Sequence, residues 1–319
     1  MSNRKMKIVT LTMNPVLDKT AEAELVVPEK KTRCQSPTYA PGGGGINVSR
    51  AIKKLGCDSL SLLLSDGDNG KKITELLEEE KVRFKRIDSG QNTRENVMVY
   101  DKKTGSLYRF VMPGPEIKEK NWKKVLDEIK QLSPKPDYLV ASGSLPPGVP
   151  DDFYARVASV SKKNDIRFVL DTSGPSMKLA MEEGVFLLKP NLREIREILN
   201  KDELTGMELE DAALEILNKD YCSLLVVSLG AKGAMLARKE DIIEYIVPPA
   251  MPVKSAVGAG DSMVAGILVG ITKGYWPGQA VRYGVAAGTA AAMTSGSELC
   301  RKEDTERIYE WLSADTGAK

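Results

Sequence analysis

The chain has 319 residues, 42% of them hydrophobic and 28% charged, which are ordinary values for a soluble globular protein with room for one large α/β domain or two modest ones. Its 46 Lys and Arg nearly balance 44 Asp and Glu, a formal net charge of +2, so the basic excess of a nucleic-acid binder is missing and no nucleic-acid partner is expected. There is no histidine, which excludes Ser-His-Asp and Cys-His nucleophiles, His-ligated zinc or haem, and imidazole proton shuttles.

General-base work must therefore fall to a carboxylate, lysine, cysteine or tyrosine. Cys34, Cys57, Cys222 and Cys300 form no CxxC pair, so neither a zinc ribbon nor a disulfide framework is expected. Met1 to Lys7 is short, polar and basic, without the apolar core of a signal peptide, and no apolar run approaches the roughly 20 residues of a membrane span. These features predict a cytoplasmic protein without a membrane partner.

In chain order, strands are expected at Ile8 to Met13, Leu60 to Leu64, Tyr138 to Ala141, Arg167 to Leu170, Val185 to Leu188 and Leu224 to Val227. Helices are expected between and after them, at Ile46 to Leu55, Gly70 to Glu80, Glu119 to Gln131, Pro150 to Asn164, Leu192 to Leu199, Met207 to Asn218, Ser262 to Lys273 and Gln279 to Thr294. The alternation predicts a mostly parallel sheet with crossover helices. Two stretches break the rhythm. Residues 19–40 and 91–112 read as extended antiparallel strands, with Lys102-Lys103-Thr104-Gly105 as a hairpin turn, and are expected to form a small second sheet. Such a sheet cannot bury both faces alone, so it should cover the main domain's cleft, a partner subunit, or both.

Four segments carry candidate chemistry. Pro41-Gly-Gly-Gly-Gly-Ile-Asn-Val-Ser-Arg50 leads into a helix, and four consecutive glycines are costly in backbone entropy unless a ligand or another backbone comes very close. Leu188-Lys-Pro-Asn-Leu-Arg-Glu194 ends a strand and starts a helix; Asn191 and Glu194, three apart, could offer two oxygen ligands to a hydrated Mg²⁺. Ser228-Leu-Gly-Ala-Lys-Gly233 follows a strand and is either a turn or a loop that receives nucleotide phosphates at the sheet's carboxyl edge.

The last segment, Val257-Gly-Ala-Gly-Asp-Ser262, opens a helix expected to begin near Asp261 or Ser262. Helix first-turn amides lack internal partners and sit at the positive end of the macrodipole, so Ala259, Gly260 and Asp261 could line an anion hole. A carboxylate there would repel a phosphate that was only being held. It makes sense as a base that takes a proton from an attacking hydroxyl in phosphoryl transfer. Neither glycine segment fits G-x-G-x-x-G, and Ser65 to Lys72 only approximates a Walker A loop.

Together these segments resemble the ribokinase-like carbohydrate kinases, the PfkB family, along nearly the whole chain, with the two glycine signatures in the right order and at about the right separation. Thr10-Leu-Thr-Met-Asn-Pro-Val-Leu-Asp18, Tyr108-Arg-Phe-Val-Met-Pro-Gly114 and Ser142-Gly-Ser-Leu-Pro-Pro-Gly148 look like its phosphosugar-kinase branch. Lys31-Thr-Arg-Cys34, Thr93-Arg94, Val227-Ser-Leu-Gly230 and Ser297-Glu-Leu-Cys300 are similar to its phosphofructokinases.

The resemblance implies a single ribokinase-like domain over 1–319: a three-layer α/β/α fold with a predominantly parallel sheet and a β-sheet lid from about 19–40 and 91–112. It implies ATP-dependent phosphorylation of a ketohexose monophosphate, with fructose 6-phosphate first and the tagatose 6-phosphate and fructose 1-phosphate reactions as alternatives. A sugar-phosphate sensor without turnover is a remote further alternative.

Residue by residue, the resemblance makes Asp261 the base and assigns the amides of Gly258, Ala259 and Gly260 to the anion hole. Asp18, Gly43, Gly44, Asn47 and Ser144 would hold the sugar. Lys189, Asn191, Ser228, Gly230 and Gly233 would serve ATP, and Asn191 and Glu194 would serve Mg²⁺ through water. The sugar's own phosphate needs cations, and the lid offers Arg94 first, then Arg109, Lys31 and Arg33. A monovalent cation such as K⁺ near the Val253 to Gly258 loop and a homodimer through the lid are further implications.

Overall fold

The computed structural model describes residues 7–239, 242–295 and 298–314; Met1 to Met6 and Ser297 of the last motif lie outside the described residues. From the N-terminus run β1 (Ile8–Thr12), β2 (Val16–Ala23), β3 (Thr38–Gly42), α1 (Gly44–Lys54), β4 (Leu60–Leu64), α2 (Gly67–Glu79), β5 (Arg83–Ile87), β6 (Arg94–Asp101) and β7 (Leu107–Phe110). There follow α3 (Glu119–Lys130), β8 (Tyr138–Ser142), α4 (Phe153–Lys163), β9 (Arg167–Asp171), α5 (Gly174–Glu182), β10 (Val185–Leu188), α6 (Leu192–Leu199) and α7 (Gly206–Asn218). The chain ends with β11 (Cys222–Ser228), a short 3₁₀ turn at Gly230–Lys232, β12 (Ala234–Arg238), β13 (Ile242–Ile246), α8 (Ala259–Thr272), α9 (Pro277–Ala292) and α10 (Lys302–Ala314).

Among the described residues the main sheet has nine strands in the order β13-β12-β11-β10-β9-β8-β1-β4-β5. The seven from β11 to β5 are parallel, and β12 and β13 add on antiparallel. Alternate strand residues feed two cores. Val9, Leu11, Leu139, Ala141, Leu188 and Val227 face α3 to α7, while Ile8, Tyr138, Val140, Leu187 and Val226 face α1 and α8 to α10. Burial on both faces is why these strands read as continuous apolar runs. Strand order reverses direction between β8 and β1, the position where open α/β sheets form a crevice beyond the carboxyl ends of their strands.

The second sheet has the order β3-β2-β6-β7. It is not wholly antiparallel: β2 and β6 pair in parallel, Val16 opposite Arg94 and Asp18 opposite Asn96, while β3 and β7 flank them antiparallel. Both central strands leave the carboxyl edge of the main sheet, β2 three residues after β1 and β6 after β5, so they run outward together. The Asp101 carboxylate fastens the far end by accepting the amides of Val26, Lys103 and Thr104, each at 3.0 Å.

Helix α8 starts at Ala259, two to three residues earlier than the apolar spacing predicts, because Gly258 takes a left-handed N-cap conformation with φ of 73°. Helices α8 and α9 meet through small residues: a Cβ on Gly284 would stand 2.4 Å from Ile267 Cγ1 and 2.8 Å from the Met263 carbonyl oxygen. Backbone cannot yield as a flexible side chain can. Gly284→Ala is therefore expected to destabilise the fold by about 1–3 kcal/mol, read as a lower urea midpoint at unchanged slope. A midpoint equal to the parent's would show that the two helices can separate without loss.

Candidate active site

The carboxyl ends of β1, β8, β9, β10 and β11 supply Asn14, Ser142, Asp171, Lys189 and Ser228, and the N-termini of α1 and α8 close over the same edge. Four glycines make that closure possible. A Cβ on Gly42 would lie 2.5 Å from Asp18 Oδ2, on Gly43 2.7 Å from Thr12 Cγ2, on Gly44 2.2 Å from Ser142 Oγ and on Gly45 2.4 Å from the Leu11 carbonyl oxygen. Gly43 also holds φ at 112°, which L side chains rarely adopt. The run thus serves a close approach of the chain to itself.

Asp261 sits in the first turn of α8 with both carboxylate oxygens engaged. Asn47 Nδ2, on α1, donates to Oδ2 at 3.0 Å, and Ser142 Oγ, at the end of β8, donates to Oδ1 at 3.3 Å. Burial, then repulsion from Asp171, push its pKa up to about 6, against the pull of Asn47, Lys189 and Ser142. Lys189 is buried and paired with Asp171 at 3.0 Å. Burial alone would lower it, but the Asp171, Glu194 and Asp261 carboxylates outweigh burial, so its pKa is raised and it stays an ammonium ion.

A Cβ on Gly260 would stand 3.5 Å from Lys189 Nζ, so a fixed cation adjoins the start of α8. The three-amide anion hole is incomplete as drawn from the sequence: the Ala259 amide already donates to the Ala256 carbonyl at 3.3 Å.

The nucleotide-side candidates meet through strand pairing. Asn191 and Ser228 form a parallel bridge, and the Ser228 amide donates to the Pro190 carbonyl at 2.9 Å. Asn191 and Glu194 form a capping box: Asn191 Oδ1 accepts the Glu194 amide at 3.0 Å and Glu194 Oε2 accepts the Asn191 amide at 2.8 Å. Each keeps unshared lone pairs, and burial raises the Glu194 pKa. Hard oxygen donors of this kind fit a Mg²⁺ that retains water. Gly230 and Gly233 hold left-handed turns, and Gly233 also passes tightly under β13, where a Cβ would meet the Ile246 carbonyl oxygen.

On the lid side, Asp18 on β2 accepts from Asn96 Nδ2 at 3.0 Å. Burial raises its pKa against that bond and the charges of Arg94, Arg109 and Arg50. Arg94 on β6 spans two segments, donating to the Met112 carbonyl at 2.9 Å and the Asn14 carbonyl at 3.2 Å. Carbonyls orient the guanidinium without neutralising it. Arg109 stands exposed on β7, and Lys31 and Arg33 stand exposed on the β2–β3 connection. Asn14 Nδ2 donates to Ser144 Oγ at 3.3 Å, which joins the β1 and β8 ends.

Sequence reasoning gave no individual role to Asp171, Ser142, Asn14 or Arg50. The available signal for Asp171 and Ser142 was their position at the carboxyl end of a mostly apolar strand in an α/β alternation, and Ser142 also opens the Ser142 to Gly148 motif.

A family model for pfkB family carbohydrate kinases matches residues 10–304. The chain is 41% identical to an ATP-dependent 6-phosphofructokinase isozyme 2 of Mycobacterium tuberculosis, over 98% of this chain and 91% of that one. It is 37% identical to the Escherichia coli protein of the same name, over 97% and 99%. It is also 34% identical to a 1-phosphofructokinase of Bacillus subtilis, over 94% and 97%. Among solved structures it superposes on phosphofructokinase-2 from Escherichia coli in complex with potassium with a TM-score of 0.93, and on its complex with fructose-6-phosphate with 0.90. Both are 36% identical and cover 97% of this chain and 99% of theirs.

The raised pKa of Asp261 carries a sign that can be tested. Because the folded protein binds this proton more tightly than the unfolded chain, its contribution to stability is lost as pH rises from about 4 through about 6, and the loss is complete above that. Asp261→Asn is expected to be more stable than the parent in urea at about pH 8, with the gain fading toward pH 4. Lower stability of the variant at pH 8 would mean that the hydrogen bonds to the carboxylate outweigh its burial.

Proposed function

The chain belongs to the pfkB family of carbohydrate kinases, and on that premise we propose that it moves the terminal phosphoryl group of ATP to the C1 hydroxyl of fructose 6-phosphate, giving fructose 1,6-bisphosphate and ADP. The reading rests on Asp261: a carboxylate in the first turn of a helix, beside a buried lysine, with a pKa pushed up to about 6. It is charged at neutral pH yet basic enough to accept a proton. As the sugar oxygen bonds to phosphorus, its proton passes to Asp261. The bond from that phosphorus to the bridging oxygen breaks, and its electron pair leaves on ADP.

Lys189 and the free first-turn amides of α8 meet the charge of the moving group, in a place already ordered before reaction. Asp171 holds the lysine in position. Asn191 and Glu194 would hold Mg²⁺ through water; when bound, the ion neutralises phosphate oxygens of ATP. Ser228, Gly230 and Gly233 are assigned to the nucleotide. Asp18, Gly43, Gly44, Asn47 and Ser144 are assigned to the sugar, with Arg94 the first ligand of its phosphate and Arg109, Lys31 and Arg33 as helpers. The backbone carbonyls of Val253 to Gly258 are the donor class that a K⁺ ion takes, which fits the potassium complex of the Escherichia coli structure.

The lid's apolar exposure supports a homodimer. Tyr39, Tyr100, Leu107, Tyr108, Phe110 and Val111 are all exposed on or beside it. No helix among the described residues is long and apolar enough to cross a membrane, and a cytoplasmic location is part of the proposal. Light scattering at micromolar concentration should give twice the 34.9 kDa chain mass, and a monomer would overturn the dimer.

ADP release with Mg-ATP, compared for fructose 6-phosphate, tagatose 6-phosphate, fructose 1-phosphate and unphosphorylated fructose, tests the substrate. The highest kcat/KM is expected for fructose 6-phosphate; preference for another phosphosugar would keep the mechanism and change the substrate, and no turnover would sink the kinase reading. In the same assay Asp261→Asn should lower kcat by several orders of magnitude at little changed KM. Arg94→Met should raise the sugar-phosphate KM about tenfold or more while sparing that of ATP. Equal effects of Arg94→Met on both KM values would remove it from the phosphate site.

A further inference from the structure

Arg50 ends the glycine-led segment that begins at Pro41 and has no role assigned from the sequence, yet it is one of the most buried charges in the molecule, at 5% exposure. Its guanidinium forks onto Glu80, the C-cap of α2, with Nε to Oε2 at 2.7 Å and Nη2 to Oε1 at 2.6 Å. The remaining nitrogen, Nη1, donates to the Pro41 carbonyl at 3.0 Å and lies 3.5 Å from Asn47 Oδ1, one helical turn back on α1. Asn47 in turn points its Nδ2 at Asp261 Oδ2, 3.0 Å away.

An asparagine amide has one end that donates and one that accepts, and the two are nearly equal in shape. Nothing in its sterics prevents a half-turn that would set a carbonyl oxygen against the Asp261 carboxylate. A cation fixed beside Oδ1 removes that alternative. A bidentate pair to Glu80 fixes the cation, since the fork matches a carboxylate in one plane.

We propose that Arg50 is the positioning residue of the reaction centre: locked by Glu80, it sets the Asn47 amide so that its donor faces Asp261. Arg50 acts on the reaction through Asn47; its charge also bears on Asp18, an effect on sugar binding that saturating substrate keeps out of kcat. The inference rests on Asp261 being the base. The charged groups facing that carboxylate, Asp171 from β9 and Lys189 from beyond β10, are left in place by every substitution below.

A double-mutant cycle separates this role from mere support of the fold. Purified full-length protein is compared as parent, Arg50→Lys, Asn47→Ala and the double variant, for kcat at saturating Mg-ATP and fructose 6-phosphate. Lysine keeps a cation for Glu80, so the protein should fold, but one ammonium cannot reach Glu80, Pro41 and Asn47 together. Arg50→Lys alone should lower kcat on the order of 10- to 100-fold. In the Asn47→Ala background it should add less than about twofold, because its target is gone.

The acid limb of the kcat–pH profile should also move to higher pH in Arg50→Lys, as Asp261 loses a steady donor; the ionisation of the substrates is common to parent and variant. Independent, multiplying losses in the cycle would overturn the proposal, as would an unshifted acid limb with only a lower Tm. If Asp261→Asn retains most of its kcat, it is the base assignment that has failed, and the cycle's additivity still reports on Arg50.

Discussion

The start of α1 lies so close to the carboxyl ends of β1 and β8 that no side chain fits between them, and the candidate site depends on that closeness. Gly42 to Gly45 each face an atom nearer than a Cβ contact allows. With any larger residue the helix would have to withdraw. Asn47, one turn further on, would then lose Asp261, which comes from the far end of the sequence on α8. Gly43 to Gly45 therefore transmit a geometric condition from the central strands to the reaction centre, and Gly42 does the same for Asp18 on β2. Their entropic disadvantage in the unfolded chain is the counterpart of that function.

Charge is arranged around this frame with few direct neutralisations. Among the described residues Asp171 and Lys189 form a tight pair at the centre, and the second carboxylate, Asp261, is left to two neutral donors. A directly paired Asp261 would be a weaker base, since an adjacent cation lowers a carboxylate's proton affinity. The same economy holds at the lid, where Arg94 is oriented by carbonyl oxygens that leave its charge available.

Much of the architecture was legible because parallel strands covered on both faces announce themselves as apolar runs. β5 was not, since Arg83, Lys85 and Arg86 make an edge strand look like loop. β12 and β13 were also missed, as were α5, which opens on Gly174-Pro175, and α10, whose first turn is Lys302-Glu303-Asp304. The candidate base and its glycines stood out because small residues, a carboxylate and a helical spacing coincide within six positions. Arg50 and Glu80 did not, because 30 residues separate them and only the packing of α1 near α2 makes them a pair. The parallel pairing of β2 with β6 was hidden for a similar reason: local sequence shows a hairpin at β6–β7 but is silent on which long-range neighbour a strand accepts.

The small sheet is joined to the body at four places: between β1 and β2, between β3 and α1, between β5 and β6, and between β7 and α3. A flap on a single hinge can swing through a wide arc, but a plate on four legs can only tilt. Arg94 braces two of those legs, since its partners Asn14 and Met112 lie on the first and the last. All four connections fall at the end where β2 and β6 begin, so the Asp101 corner is the part of the plate farthest along the chain from any anchor, and its own carboxylate is what ties that corner together.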